Sequence, residues 1–167
     1  IIGTTYGTQD LMLRAIKELD MDKEEAEWSI GESPLLSNLR TSDMTASVAK
    51  AFDLGGPNIN LPLACSAGNY AVSIGHQLIQ QSKAKAVVVG GADAITFHGY
   101  NIFYRSAIMS HEGCYPFDKS RSGMIVGEGG GMLLLEDYDH AKARGAEIYG
   151  EITGFGINGD AYDQIGL

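Results

Sequence analysis

The apolar positions change their spacing sharply at one place in the chain. From Pro57 to Ala64, Ile59, Leu61 and Leu63 alternate with Asn60, Pro62 and Ala64, which is the period of a strand. From Ala67 onward, Ala71, Ile74, Gly75 and Leu78 share one face of a helix. The change of period falls on Ala64-Cys65-Ser66-Ala67-Gly68. Cys65 is therefore expected at a helix N-terminus, where free backbone N–H groups and the positive end of the helix dipole favour a negative charge such as a thiolate. Position alone leaves two readings in balance: a nucleophile, or a small apolar residue at a strand-to-helix turn.

The rest of the pattern is that of alternating strands and helices. Ile1 to Gly7 reads as a short strand ending in a turn, followed by a helical stripe of Leu11, Met12, Ala15, Ile16 and Leu19. Asp20 to Glu32 is acidic and polar, as in a surface helix or loop. A helix is expected to start near Ser42, with Met44, Val48, Ala51 and Phe52 on its apolar face, and to stop at Gly55-Gly56-Pro57. Ala86 to Ala92 is a β-branched run of the kind buried on both faces of a parallel sheet. With the preceding strand and helix it makes a crossover unit. Ala94 to Cys114 has no clean period, and Tyr115 to Asp118 reads as a turn. Gly127 to Gly131 leads into a further buried strand, Met132 to Glu136; Asp137 to Arg144 reads as a helix ended by Gly145. Glu147 to Asn158 alternates as a strand. The order is that of an α/β protein with a mostly parallel sheet.

Composition narrows the class. The 167 residues suffice for a domain with a real core, and 44% apolar with 20% charged residues is ordinary for a globular chain. Twelve scattered Lys and Arg against a net charge of −9 argue against a nucleic-acid partner and against an anionic membrane surface. No apolar run has the length of a membrane span, and the start does not read as a signal peptide. Two cysteines, Cys65 and Cys114, do not form a disulfide framework, so a reducing, cytoplasmic setting is expected.

Other chemical patterns have weaker claims. His76 lies eleven residues beyond Cys65 on the same expected helix, roughly 16 Å along its axis, too far to serve as its base. His98 and His111 flank the aperiodic segment and His140 sits on a polar helix, all three suited to a surface. His111 and Cys114 have chelating spacing but lack a second ligand pair. Gly154 to Gly159 spells G-x-G-x-x-G, yet no crossover helix or ribose-binding acid follows it, and Gly127 to Gly131 lacks the lysine of a P-loop. The glycines of 127–131 suit close strand or helix packing. Asp118 and Arg121 suit a pairing across a turn, and Glu128 suits hydrogen bonds to backbone rather than catalysis.

Four stretches taken together resemble the β-ketoacyl-acyl-carrier-protein synthases, the elongating ketosynthases of fatty-acid and polyketide synthesis. They are Leu63-Ala64-Cys65-Ser66-Ala67-Gly68, Val87 to Asp93, Pro116 to Gly123 and Gly127 to Gly131; His140 to Ala146 and the strand after it fit as well. The resemblance implies a thiolase-like fold, layered α-β-α and incomplete here: most of the N-terminal half plus the first strand of the C-terminal half. Residues 1–145 correspond to the N-terminal half without its first strand, and residues 146–167 to the start of the C-terminal half. The family's two catalytic histidines and its catalytic lysine belong to the part not covered, and none of His76, His98, His111 or His140 matches them. Two residues depart from the family pattern: Ser122 stands where Asp is usual after the Arg, and Leu63 where Thr is common before Ala-Cys.

The resemblance moves Cys65 to the nucleophile reading. It implies acyl transfer to Cys65 from the phosphopantetheine arm of an acyl carrier protein, then a decarboxylative Claisen condensation with malonyl-carrier protein that lengthens the chain by two carbons. No cofactor is expected, since phosphopantetheine arrives on the carrier as substrate, and no metal. A homodimer through the strand 59–64 is implied, with Pro62 suited to an edge position. Two further readings stand beside it: a catalytically inert, carrier-protein-binding or assembly module, and a thiolase-type enzyme acting on coenzyme A thioesters. The Pro-Phe-Asp and Gly-Glu-Gly motifs favour the carrier-protein enzymes.

Overall fold

The computed structural model of the protein describes residues 1–5, 7, 40, 42–159 and 161. The helical stripe expected over 11–19 and the acidic stretch 20–32 lie outside these residues. The described elements, in chain order, are β1 (Ile2–Thr4), α1 (Ser42–Ala51), β2 (Asn60–Pro62), a 3-10 turn (Ala64–Ser66), α2 (Ala67–Gln80), β3 (Ala86–Asp93), α3 (Phe97–Arg105), β4 (Gly129–Glu136) and α4 (Tyr138–Ala143).

The strands form one sheet in the order β2-β1-β3-β4. β1 runs parallel to both β2 and β3, and β4 runs antiparallel to β3, so the sheet is mostly parallel as expected. β1 lies between the two strands of the β2-α2-β3 unit. Pro62 sits on β2, an edge strand of the described sheet, where a missing N–H is tolerated.

α2 covers the sheet, and the core forms beneath it. Ile1, Ala71 and Val89 are its buried centre, with Ile59, Leu61, Ile74, Leu78 and Leu135 packed around them. Val89 is 0% exposed, and burying a valine contributes roughly 1.5–3 kcal/mol. Gly75 lets α2 approach closely: a methyl group there would stand 2.4 Å from Val89 Cγ1.

The helix ends follow ordinary capping chemistry. α1 carries Asp43 in its first turn and Lys50 in its last, both complementing its dipole. Thr96 caps α3 by accepting from Gly99 N at 3.0 Å, and Asp137 caps α4 by accepting from His140 N at 3.1 Å. Gly145 ends α4 with φ 70°, as a residue beyond a helix C-terminus commonly does.

Four expectations are corrected. The strand expected over 59–64 is confined to Asn60–Pro62, because the turn that carries Cys65 begins at Ala64. The aperiodic stretch 94–114 contains α3, a nine-residue helix whose Phe97, Tyr100 and Tyr104 share one face at i, i+3 and i+7; that short stripe is hidden by the irregular residues on either side, and the face is exposed. β4 is a strand but not a buried one: Gly129 to Leu134 are exposed, since β4 pairs only with β3 among the described residues. Residues 146–159 join no sheet among the described residues; Phe155 to Asn158 lie beside α2, where Phe155 meets His76 edge to face at 5.7 Å. Alternation makes a strand only where a partner edge is within reach.

Glu136, at the end of β4, clasps α4. It accepts from Arg144 Nε at 2.8 Å and Nη2 at 2.7 Å, and its Oε1 contacts His140 Nδ1. The Arg144 hydrogen bonds, with His140 adding to them, pull the Glu136 carboxyl down from 4.5 to about 2. A depressed carboxyl stabilises the fold fully above its unfolded value of 4.5, and that stabilisation is lost as pH falls through about 2. Glu136→Gln is therefore expected to flatten the pH dependence of the urea midpoint between those limits. An unchanged profile would show that the clasp does not contribute to stability.

Candidate active site

Cys65 occupies the middle of the 3-10 turn between β2 and α2, and its side chain is exposed. The backbone there is unusual: Ala64 has φ 50°, the left-handed region that costs an L-residue about 1–2 kcal/mol. The turn closes through the Ala67 N–H, which donates to Ala64 O, and Ser66 Oγ donates to Leu63 O at 3.1 Å. The thiol is thus presented at the head of the 14-residue α2, with strain stored in the residue before it.

Beside the turn is a recess of about 210 Å³ lined by Ser66 of the 3-10 turn, by Asn69, Tyr70 and Ser73 of α2's first turns and by Gly156 to Asn158. Its walls contain no histidine. Among the described residues no side chain hydrogen-bonds to the thiol of Cys65. His98 and His111 are exposed, His140 is held by Glu136, and His76 faces Phe155 with its Nδ1 buried and unpartnered among the described residues. A larger cavity of about 430 Å³ opens at the far end of α2, between Val48, Leu54, Leu78 and Val87, and includes neither cysteine nor histidine.

The motif residues around the site serve as braces. Asp93, at the end of β3, accepts from Thr4 Oγ1 at 2.8 Å and from Thr5 N at 2.9 Å, which fixes the end of β1. Glu128 Oε2 accepts from Ile95 N at 3.1 Å, a backbone tie of the kind its neighbouring glycines suggest. Asp118 accepts from Ser120 N and Oγ at 2.7 and 2.6 Å, and these bonds hold its carboxyl below the usual range. Arg121 reaches the Asp118 backbone carbonyl at 3.0 Å, so the expected side-chain pairing is replaced by a side-chain-to-backbone one. Ser122, where the family pattern has Asp, lies 2.8 Å from Ser110 and joins the two arms of the 108–124 loop. Tyr115 to Asp118 is the expected turn, with Phe117 at φ 64° and 99% exposed.

His111 and Cys114 are both exposed, and the described residues contain no group of three or more potential metal ligands. No helix of the described residues is long and apolar enough to cross a membrane. The brace at Asp93 and the strained Ala64 are not visible as such in the sequence. Asp93 ends a motif but has its partners 88 and 89 residues away, and Ala64 gives no local sign of a left-handed backbone.

Comparison with known proteins agrees with this arrangement. Residues 1–141 match the model of the family described as beta-ketoacyl synthase, N-terminal domain. A 3-oxoacyl-[acyl-carrier-protein] synthase 2 of Vibrio harveyi is 41% identical over 116 residues, covering 65% of this chain and 28% of that protein. The crystal structure of a beta-ketoacyl synthase from Burkholderia phymatum STM815 superposes with a TM-score of 0.77 at 28% identity, covering 98% of this chain and 42% of that one. A type II PKS acyl-carrier protein in complex with its ketosynthase bound to the hexaketide gives a TM-score of 0.73 at 27% identity, covering 89% of this chain and 38% of that one. The chain thus spans well under half the length of these relatives, and the fold it shares with them is the thiolase-like one. With its matched N-terminal domain, its thiolase-like sheet and its cysteine at the strand-to-helix turn, the chain belongs to the β-ketoacyl synthase family.

Proposed function

We propose that this chain carries the nucleophile of a condensing acyltransferase, and that the nucleophile is Cys65. Its Sγ attacks the thioester carbonyl of an acyl group on the phosphopantetheine arm of a carrier protein. The bond to the pantetheine sulfur breaks, that thiol leaves with the proton, and the acyl group stays on Cys65. A malonyl-carrier protein then loses carbon dioxide, leaving an electron pair on its α-carbon. That carbon attacks the acyl-Cys65 carbonyl and releases the Cys65 sulfur, giving a 3-oxoacyl-carrier product two carbons longer. The Cys65 backbone N–H supplies one oxyanion donor; the family's histidines and lysine, and a second donor, stand outside these 167 residues, and the chain alone is inactive. Phosphopantetheine enters as part of the substrate, so no separate cofactor is assigned.

The observation that supports this most is the exposed thiol on a strained turn at the head of a long helix. A homodimer formed along β2 belongs to the same reading, supported by that strand's place at the sheet edge and by the Asn60 amide, buried without a partner among the described residues. The setting proposed is the cytoplasm.

Acyl-carrier protein mixed with the native polypeptide that carries this chain is expected to leave its acyl group on Cys65, seen as a mass increment on the peptide containing it. Carrier protein that binds without acylating Cys65 would instead favour the inert-module reading. That reading is supported by the absence of histidine from the recess beside the thiol.

A further inference from the structure

We propose that Gly3 is a positioning residue for Cys65, the seat on which the first turn of α2 rests. The assignment builds on the acyl-transfer reading above. A methyl group at Gly3 would stand 2.2 Å from the Ala67 carbonyl carbon, 2.3 Å from its oxygen and 2.6 Å from Gly68 N. All three are backbone atoms, so no change of rotamer relieves the clash. Gly91 of β3 extends the seat, since a methyl group there would stand 3.4 Å from Gly68 Cα.

β1 cannot yield. Gly3 pairs with Leu61 on one side and Gly91 on the other, and Asp93 holds the strand's end through Thr4 and Thr5. The helix must therefore rise. Non-bonded carbons settle at about 3.5–4.0 Å, so the first turn of α2 would lift by about 1 Å or more. Ala67 closes the turn onto Ala64 O, and the lift passes directly to Cys65 and to its strained neighbour. A misplacement of about 1 Å at a reacting group can cost about 10²-fold in rate.

Gly75 provides the comparison within the same helix. A methyl group there also meets its neighbour closely, 2.4 Å from Val89 Cγ1, but that neighbour is a side chain. The site is about 15 Å along the helix from Cys65. Gly75→Ala should therefore cost stability and leave the thiol where it is.

The test compares Gly3→Ala with Gly75→Ala in the native polypeptide, with rates taken per folded molecule. Two readouts are used: kcat and KM for acyl transfer to Cys65, and the rate of iodoacetamide alkylation of Cys65 relative to Cys114 in the same molecule. Gly3→Ala is expected to lower kcat by about 10²-fold, to leave KM for the carrier within about twofold, and to shift the alkylation ratio several-fold. Gly75→Ala is expected to lower the unfolding midpoint with both readouts at wild-type values. Wild-type kcat and alkylation ratio in folded Gly3→Ala would overturn the assignment, and so would equal losses in Gly75→Ala. Failure of Gly3→Ala to fold where Gly75→Ala folds would do the same, by making Gly3 a requirement of the fold alone. If the wild-type protein transfers no acyl group, the acyl-transfer reading fails, and the alkylation ratio still decides the role of Gly3.

Discussion

Cys65→Ala is expected to abolish acyl transfer and chain extension by the native polypeptide, a loss of roughly 10⁴-fold or more, as for removal of other covalent nucleophiles. Alanine has no lone pair to form the acyl intermediate, and no neighbouring group in the recess can replace it: Ser66 is committed to Leu63 O, and Ser73 donates to Asn69 O at 2.9 Å. The same substitution should hardly touch stability. The Cys65 side chain is exposed, and surface changes away from special features usually stay within about 0.5 kcal/mol. The backbone strain lies in Ala64, which is unaltered. The informative result is therefore a dissociation: unfolding midpoint and carrier affinity retained, turnover lost. Measured product formation by Cys65→Ala, at a rate near that of the parent protein, would rule out Cys65 as the nucleophile.

The part of this site legible in the sequence was the part written in local periodicity. A strand period and a helix period meet at Cys65, and the structure places a turn there, with β2 before it and α2 after it. β3, the helix over Ser42–Ala51 and the Tyr115 to Asp118 turn were legible for the same reason, each carrying its own pattern or its own breaker. α3 was not, because its stripe of Phe97, Tyr100 and Tyr104 runs over only nine residues and is flanked by apolar residues that follow no period. The Thr96 cap, accepting from Gly99 N, was the local signal that could have found it. Burial was the least legible property. Met132 to Leu135 is as apolar as a buried strand, yet Leu134 is 56% exposed, because exposure depends on what lies across the sheet and the sequence of one strand does not contain that.

Glycine shows the same limit most clearly, and it leads to the second large effect. The run Gly127 to Gly131 suggested close packing, yet methyl groups at Gly127, Gly129 and Gly131 would meet nothing within 4 Å. The close approach is made from the opposite strand, by Gly90. A methyl group there would stand 2.0 Å from Gly131 O and 2.9 Å from Met132 Cα. Gly90 pairs with Met132 in the middle of the β3–β4 ladder, which runs from Ala86↔Glu136 to Asp93↔Gly129. β3 is held on its other side by β1, so the strain falls on β4, whose pairing would open around Met132. Overpacking ordinarily costs about 1–3 kcal/mol when side chains can adjust. Here the obstacle is backbone, and Gly90→Ala is expected to cost about 3 kcal/mol or more, a large share of the 5–15 kcal/mol that holds an ordinary domain together. Gly131→Ala, facing open space one position along the same ladder, should stay within about 0.5 kcal/mol. Urea midpoints of the two variants of the native polypeptide measure the difference, and amide exchange at Val88 and Leu134 should quicken in Gly90→Ala only. Equal midpoints would mean that β4 is not held against β3 in this register, since in this register the Gly90 methyl group meets the facing backbone and the Gly131 one does not.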